Sequence, residues 1–301
     1  MKDYGFAKTP LSALRYAILA NPASGTMPMN RRYALLKKAA RRLCADIHGL
    51  DTGSAEAFSQ CARELSENCD VLVVAGGDGT FSLVINAVET ESTTLAFLPF
   101  GTGNALTYAL GYRGGPEEIA GRIRTGRMQA CDLIDCDGRR KGFMVSLGID
   151  GAAIRLYEKY RLMGYRGLNA HLRAGLKACF QDYRPAGGAI TLDGVPRRVR
   201  RLTSFMVVKQ PFFGMGLKAV PHARWGDGQL HTLTVASGVP GIVGALLTGF
   251  TIGNRVGDYR TGKAVTVQLD TPLPLQIDGD GAWTADRFTF SVLPGALRLK
   301  H

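Results

Sequence analysis

The sequence reads VLVVAGGDGTFSLVINAV at residues 71–88 and LAFLPFGTGNALTYALG at residues 95–111. Each stretch opens with an apolar run, passes through a glycine-rich turn and continues with the spacing of a helix. This order predicts two neighbouring strand–turn–helix units of an α/β sheet. Because the carboxyl ends of parallel strands lie along one edge of such a sheet, we expect the two turns to meet there.

The first turn has the composition of a phosphate-binding loop. Gly76, Gly77 and Gly79 lack a Cβ, so successive backbone N–H groups can point at one anion. The helix that follows directs its free N-terminal amides to the same place, and Thr80 adds a hydroxyl at its start. Asp78 is the exception, because a carboxylate repels phosphate unless a metal ion or a substrate hydroxyl lies between them. Its presence indicates magnesium or hydroxyl chemistry.

The second turn repeats this plan. Gly101 and Gly103 provide the adaptable backbone, Thr102 a hydroxyl, and Asn104 an amide for capping the next helix or binding a phosphate or ribose oxygen. Neither turn has the GxxxxGK[ST] spacing of a Walker A loop or the GxGxxG spacing of a dinucleotide fold. Both turns also fit ordinary strand-to-helix connections, but two in succession, one with an internal Asp, favour a phosphate site.

Five short motifs resemble those of one family. GGDGT at 76–80 resembles the nucleotide-binding signature of diacylglycerol, sphingosine and ceramide kinases, 6-phosphofructokinases and NAD kinases. NPASG at 21–25 and PFGTGN at 99–104 are similar to the NPxSG and PxGTxN elements of the diacylglycerol kinase catalytic domain. GDGQL at 226–230 and IDGD at 277–280 resemble that family's DGxL metal loop and IDGE segment. On these motifs the sequence is identified as a member of the diacylglycerol kinase catalytic-domain family.

The hydrophobic pattern divides the chain into two regions. Helical stretches alternate with apolar strands in the first region, at 16–20, 47–50, 71–75 and 95–98. Short strands separated by turns, among them 264–269 and 273–277, dominate afterwards, which indicates an antiparallel domain. The resemblance implies the corresponding α/β fold class: an N-terminal three-layer parallel-sheet nucleotide-binding domain at 1–130, like that of NAD kinase and diacylglycerol kinase, then an antiparallel β-sandwich-like lipid-substrate domain at 131–301. The last strand is expected to return to the first domain.

The resemblance implies an ATP-dependent lipid kinase that uses Mg²⁺ and phosphorylates diacylglycerol, ceramide or a sphingoid base. It places ATP on residues of the glycine-bearing loops, with Thr52 near the nucleoside: Asn21, Pro22, Ser24, Gly25, Thr52, Gly76, Gly77, Asp78, Gly79, Thr80, Gly101, Thr102 and Asn104. Asp78 is expected to orient Mg²⁺, and Asp278 to act as the base with assistance from Asp280. The residues alone also fit a tight hairpin turn at 277–280, for which Asp-Gly is the usual sequence.

The loop at 226–230 is expected to hold a second, structural metal ion. The resemblance implies that the Asp227 carboxylate binds this ion together with the backbone carbonyl oxygens of Arg224 and Gln229. Oxygen ligands of this kind suit a hard cation such as Mg²⁺. A simple hairpin turn is the alternative interpretation.

Three departures from the family pattern leave other functions open. Phe81, Ser82 and Leu83 follow Thr80 where the family usually has xNE. Ala105 stands where Asp is common after PxGTxN, and Asp280 stands where Glu is common. One alternative is therefore a catalytically weakened nucleotide-sensing or membrane-binding regulator. Another is a kinase of a water-soluble alcohol, which the elements at 21–25 and 99–104 disfavour.

The net charge of +12 is concentrated in one part of the chain. The stretch from Arg122 to Arg224 contains 20 Lys and Arg residues and 7 Asp and Glu residues. At its centre, residues 154–180 mix Lys and Arg with apolar side chains at rough helical spacing, which fits binding to an anionic membrane surface or a solvated helix face. We expect no nucleic-acid partner, because no helix-turn-helix, RRM or zinc-finger pattern accompanies the charge.

The sequence also predicts where the protein acts. Six cysteines show no CxxC pair, residues 1–10 lack an apolar core, and the apolar run at 239–252 falls short of the roughly 20 residues of a membrane span. We therefore expect a cytoplasmic protein that associates peripherally with the inner face of the membrane.

Overall fold

Four parallel strands form the first half of the sheet in this computed structural model, which describes residues 14–163 and 185–301. They are β1 (Tyr16–Ala20), β2 (Asp46–His48), β3 (Val71–Gly76) and β4 (Thr94–Pro99), in the spatial order β4-β3-β1-β2. All five residues of β1 and all six of β3 are buried. Strands buried on both faces read as continuous apolar runs, which is why the sequence signalled them clearly.

Helices cover both faces of these strands. Right-handed crossovers put α1 on one face and α2 and α3 on the other, because the chain reverses direction across the sheet at β2. The contacts agree, since α1 packs against α5 and α2 against α3. This gives three layers, formed by α1 (Met29–Leu43), α2 (Ala55–Asn68), α3 (Asp78–Ile85), the short α4 (Ala105–Ala109) and α5 (Pro116–Thr125).

The second half of the chain is mainly antiparallel. It packs a second core, which contains Phe205, Phe288 and Phe290, separate from the core of the α/β half. Its elements are β5 (Met128–Cys136), β6 (Arg140–Gly142), β7 (Met144–Gly148), α6 (Ile149–Leu162), β8 (Ala186–Leu192), β9 (Val195–Leu202), β10 (Ser204–Val208), β11 (Phe212–Phe213), β12 (Leu217–Lys218), β13 (Leu230–Val235), α7 (Gly238–Thr251), β14 (Asp258–Gly262), β15 (Ala264–Ile277) and β16 (Asp280–Lys300).

The last strand, β16, joins the two halves. Its first part pairs antiparallel with β15, and its later part pairs antiparallel with β5. Near its end, Arg298 and Leu299 pair in parallel with Thr94 and Leu95 of β4. The predicted boundary at residue 130 falls inside β5.

Several elements differ from the sequence predictions. The two strands expected at 264–269 and 273–277 are one strand, β15, with register shifts between Gln268 and Leu273. Strand β9 was not predicted, because half of its sequence VPRRVRRL is charged. Among the strands that the structure describes it pairs only with β8, and it is largely exposed. Charged residues are common on such edge strands, since they discourage pairing with another chain. The prediction of a basic helix at 154–180 is covered only to residue 163, and its remainder lies outside the described residues.

Within residues 14–163 and 185–301, no helix has the length and apolar character needed to cross a membrane.

Candidate active site

Three loops meet at the carboxyl ends of β1, β3 and β4. The backbone N–H of Asn21 donates to the carbonyl of Ala75 at 3.1 Å. The carbonyl of Gly76 accepts from the N–H groups of Phe100 at 2.8 Å and Gly101 at 3.1 Å. These hydrogen bonds bring the NPASG loop, the GGDGT loop and the PFGTGN loop together at one edge of the sheet.

Two glycines allow this close approach. Gly25 has a φ of +66°, and a Cβ there would overlap the carbonyl oxygen of Phe100. A Cβ on Gly101 would lie 2.5 Å from the Cα of Gly77, closer than real side chains come. Ser24 is buried, and its Oγ lies beside Gly77. Any larger residue at Gly25 or Gly101 would push the loops apart.

Polar side chains fix the first two loops to each other. Asn21 Nδ2 donates to the Thr80 hydroxyl at 3.0 Å, while its Oδ1 accepts from the N–H of Ala23 at 2.9 Å. Thr80 is buried at the start of α3, and its side chain fills the space above Gly76. Asn21 therefore acts as a tie between loops, which leaves the loop backbone as the surface that faces a ligand.

Arg32 of α1 binds the backbone of the NPASG loop, a role that was not predicted from the sequence. Its guanidinium donates to the carbonyl oxygens of Asn21 at 3.1 Å and Pro22 at 2.7 Å, and also to that of Ser24. The residue is 3% exposed, and burial lowers the pKa of its guanidinium. The signal was an Arg on the otherwise apolar, inward face of α1.

Asp78 binds the backbone that follows the PFGTGN loop. Its Oδ2 accepts from the N–H of Ala105 at 2.8 Å and its Oδ1 from that of Leu106 at 3.0 Å, so it caps the N-terminus of α4. Burial raises the pKa of Asp78 to about 6, and the nearby charge of Asp280 adds to this shift. Each carboxylate oxygen therefore accepts one backbone amide, and the expected role of Asp78 in orienting a metal ion stays a prediction.

The remaining predicted nucleotide contacts divide into two kinds. Asn104, with a φ of 44°, closes its own loop: its Oδ1 accepts from Gly101 N at 3.1 Å and its Nδ2 donates to Gly101 O at 2.8 Å. Thr52 follows β2 and donates its hydroxyl to the Gly49 carbonyl at 2.6 Å. Thr102 is exposed at the tip of the loop. Of these three side chains, only that of Thr102 points freely outward.

The second half of the chain contributes Asp280 to this edge. A Cβ on Gly79 would lie 2.6 Å from Asp280 Oδ2, so the carboxylate lies directly against the Gly79 Cα. Arg140 Nη2 lies 3.7 Å from the same oxygen and donates to the hydroxyl of Ser82 at 3.0 Å. The Asp280 side chain is 51% exposed. A carboxylate from the second half thus faces both the phosphate loop and the solvent.

Asp278 lies in different surroundings. It is 1% exposed, and its Oδ1 accepts from the N–H groups of Phe143 at 3.0 Å and Met144 at 2.9 Å. Burial raises the pKa of Asp278 to about 7, although hydrogen bonds and the charge of Arg140 oppose the shift. The carboxylate predicted to be the base is thus buried and braces the start of β7, and its role as the base stays a prediction.

A hairpin from the second half covers the PFGTGN loop. The N–H of Met215, between β11 and β12, donates to the carbonyl of Gly103 at 2.8 Å. The rings of Tyr108 and Phe212 lie 5.8 Å apart between their centres. This hairpin, residues 212–218, was not assigned a role from the sequence, although its Phe-Phe-Gly-Met-Gly stretch combines apolar bulk with turn residues.

Two of the three predicted metal ligands contact an ammonium group. Lys209 Nζ lies 2.9 Å from Asp227 Oδ1 and also donates to the carbonyl of Gln229. Burial alone would raise the pKa of Asp227, but the hydrogen bond and charge of Lys209 bring it below its ordinary value. The backbone nitrogen of Arg224 lies 3.2 Å from His231 Nε2. Within the described residues, no group of three or more His, Cys, Asp and Glu side chains is arranged to hold a metal ion.

Two family models match the chain. The model of the diacylglycerol kinase catalytic domain matches residues 15–136, and that of the YegS C-terminal NAD kinase beta sandwich-like domain matches residues 143–301. The chain belongs to the diacylglycerol kinase catalytic-domain family. This kinase is accordingly a phosphotransferase with an alcohol acceptor, and it binds a nucleotide. The predicted family and enzyme class are confirmed.

Individual relatives agree with this assignment. A diacylglycerol kinase of Staphylococcus aureus (strain MRSA252) is 25% identical over 282 residues, covering 88% of this chain and 86% of that protein. The crystal structure of a diacylglycerol kinase from Bacillus anthracis str. Sterne has a TM-score of 0.70 at 18% identity, covering 95% of this chain and 96% of that one. An NAD kinase from Archaeoglobus fulgidus in complex with ATP has a TM-score of 0.52 at 12% identity, covering 96% and 94%. These structures confirm the predicted fold class.

Proposed function

We propose that this kinase transfers the γ-phosphoryl group of ATP to a hydroxyl of a membrane lipid such as diacylglycerol, ceramide or a sphingoid base. The observation that carries the proposal is the contact between Asp280 and Gly79. It puts a half-exposed carboxylate at the loop on which the phosphates would lie. Phosphoryl transfer needs this arrangement, because catalysis depends mainly on positioning and on neutralising charge.

The triphosphate would lie on backbone rather than on side chains. The glycines of the GGDGT loop have no side chains to cover its backbone, and α3 begins at Asp78 with Gly77 at its N-cap position. Its dipole and free amides attract an anion. The exposed Thr102 hydroxyl would add a contact from the PFGTGN loop. Arg32 would contribute indirectly, because it fixes the carbonyl groups of the NPASG loop and thereby its shape.

Asp280 would take the proton of the acceptor hydroxyl. The pKa of an alcohol lies far above 7, so a carboxylate must accept the proton as the bond to phosphorus forms. Asp280 is exposed enough to meet a substrate, whereas Asp278 is buried beneath it. Arg140 beside Asp280 would place a positive charge close to the transferring group, which stabilises the charge that develops in the transition state.

Mg²⁺ would enter with the nucleotide. The two carboxylates at the loops do not form a cage of their own, because Asp78 is occupied by α4 amides and Asp280 points outward. This fits an ion held mainly by phosphate oxygens and water, with Asp280 the carboxylate available to it. When bound, the ion would neutralise charge on the β- and γ-phosphates.

An apolar surface supports a lipid acceptor. Helix α7 exposes large apolar side chains along one face and just beyond its end, at Val243, Leu246, Leu247, Phe250 and Ile252. Gly249 of α7 packs on Leu217 of the hairpin that covers the PFGTGN loop, so this surface is connected to the active site. An exposed apolar surface of this kind suits the interface of a bilayer. The basic segment at 154–180 and the net charge of +12 favour anionic lipids.

The test is transfer of labelled phosphate. Purified protein is incubated with γ-labelled ATP, Mg²⁺ and vesicles that contain diacylglycerol, ceramide or sphingosine, and in parallel with NAD and glucose as soluble acceptors. We expect label in a lipid. Label only in a soluble acceptor would favour a kinase of water-soluble alcohols, and nucleotide binding without transfer would favour a regulator. Asp286→Asn, an exposed change on the same strand as Asp280, is the control for the Asp280→Asn variant.

A further inference from the structure

Lys209 lies at the centre of a buried polar cluster outside the active site. It follows β10 and is 0% exposed, yet its Nζ has three oxygen partners. Asp132 Oδ2 and Asp227 Oδ1 each lie 2.9 Å away, and the carbonyl oxygen of Gln229 accepts the third hydrogen bond. An ammonium group has three N–H donors, so its bonding capacity is filled.

The oxygens around Lys209 are themselves held in place. Asp132 accepts from the N–H of Gly228 at 2.8 Å and from that of Gly295 at 2.9 Å. Asp227 Oδ2 lies 2.9 Å from His231 Nε2, whose ring in turn contacts the Tyr259 hydroxyl at 2.8 Å. The cluster therefore joins β5, β13, β14 and β16 around one cation.

The distances suit an ammonium and not a metal ion. Hydrogen bonds from nitrogen to oxygen span about 2.7 to 3.2 Å, whereas Mg²⁺ binds oxygen at about 2.0 to 2.1 Å and Ca²⁺ at about 2.3 to 2.6 Å. A metal ion at this point would also take the three oxygens that now pair with the buried ammonium of Lys209. Leaving a buried charge unpaired is strongly unfavourable, so the lysine and a metal ion exclude each other.

We propose that the ammonium of Lys209 replaces the structural metal ion that the resemblance of residues 226–230 to the family's metal loop implies. Two of the three expected ligands, the Asp227 carboxylate and the Gln229 carbonyl, bind the lysine instead. The second half of this kinase is thus stabilised by a cation that is part of the chain. Its folded state does not depend on divalent ions, even though the nucleotide requires one.

The proposal is tested on nucleotide-free protein, so that ions bound through ATP do not contribute. Wild-type protein is passed through a chelator, its metal content is measured, and its thermal unfolding is followed with EDTA, Mg²⁺ or Ca²⁺. We expect no stoichiometric metal and the same Tm in all three solutions. A retained divalent ion, or a Tm that falls in EDTA, would overturn the proposal. Neither measurement involves activity, so the result is independent of the proposed lipid substrate.

Two variants of Lys209 sharpen the test. Lys209→Ala removes the cation and leaves space among its oxygens, so we expect Tm to fall by roughly 10 °C and to recover in part with Mg²⁺ or Ca²⁺. Lys209→Met removes the charge but keeps the bulk, so its Tm should fall without recovery. A folded Lys209→Ala protein whose Tm is changed by neither Mg²⁺ nor Ca²⁺ would contradict the proposal. Should that variant not fold under any condition, the wild-type measurements decide alone.

Discussion

The carboxylate of Asp280 lies against the Cα of Gly79, with no room for a side chain between them. The two residues are far apart in the sequence and belong to different halves of the fold. Their contact is where a phosphate loop made by parallel strands meets a carboxylate made by an antiparallel hairpin. The first predictions concern this contact.

Removing the charge of Asp280 is expected to abolish most of the activity. In Asp280→Asn, kcat should fall by roughly 10²- to 10⁴-fold, the usual contribution of a general base, while KM for ATP changes little. Asp286→Asn should behave like wild type. If Asp278→Asn lost as much activity as Asp280→Asn, with its fold intact, the assignment of the base to Asp280 would be wrong.

Adding a methyl group at Gly79 is expected to displace Asp280. The new Cβ would lie 2.6 Å from Asp280 Oδ2, so the carboxylate must move. A shift of about 1 Å costs roughly 100-fold in rate, and we expect kcat of Gly79→Ala to fall by about that factor. Gly103→Ala is the matched control, because the nearest atom to its Cβ is 3.6 Å away. Equal losses in both variants would count against the contact.

The stability of the protein is expected to depend on pH through the titration of Asp278. Its pKa is raised by burial from 3.8 to about 7, so the folded state holds a proton that the unfolded state has lost between these values. This cost is absent below pH 3.8 and grows until about pH 7, where it reaches at most about 4 kcal/mol. We expect Asp278→Asn to gain stability relative to wild type as the pH rises from 4 to 7 in urea unfolding. A difference that does not vary with pH would refute this.

Arg32 is expected to matter for nucleotide binding without touching the nucleotide. Arg32→Met removes the donors to three loop carbonyls, each worth about 1 kcal/mol or more. We expect a loss of stability of about 2 to 3 kcal/mol and a rise of roughly tenfold in KM for ATP. Its neighbour Arg31 is exposed, and Arg31→Met should leave both quantities unchanged. If the destabilised Arg32→Met protein kept a normal KM for ATP, the NPASG loop held by Arg32 would not determine nucleotide affinity, and the prediction would be wrong.

The α7 surface is expected to contact the bilayer. Leu247 and Phe250 are 66% and 55% exposed, so replacing both by Glu should cost little stability. It should weaken sedimentation with vesicles of anionic lipid by at least tenfold, because two apolar anchors are lost and two negative charges added. Val195→Glu, at a position 67% exposed at the start of β9, is the control. Unchanged vesicle binding in the double variant would show that the protein contacts the bilayer through a different surface.

The fold could be predicted from sequence mainly where strands are buried on both faces. Strands β1, β3 and β4 are continuous apolar runs, and the glycine turns after them mark their ends. Strand β9 could not be predicted, because its arginines face solvent on an edge and follow no hydrophobic period. The division of β15 into two predicted strands reflects the polar residues at its register shift.

The site was predictable in its backbone and less so in its side chains. A glycine in a loop allows another stretch of backbone to approach closely, because it has no Cβ. The glycines of all three loops do lie together. The roles of Asp278 and Asp280 depend on which one is buried, and that is decided by the packing of β6 and β7 against the hairpin. The amide partners of Asp78 are 27 and 28 residues away, and the partners of Lys209 come from β5 and from the loop before β13, so no local pattern could signal them.

Strand β16 is 21 residues long; it begins at the candidate base and ends beside β4. The edge of β4 is therefore covered only after the end of β16 has been synthesised. During synthesis on a ribosome, the nucleotide-binding half emerges long before its final strand, with that edge open to other chains. The order of translation and the order of assembly are thus opposed at this point, and a chaperone that shields the edge of β4 would act on the nascent chain until β16 has been synthesised and paired.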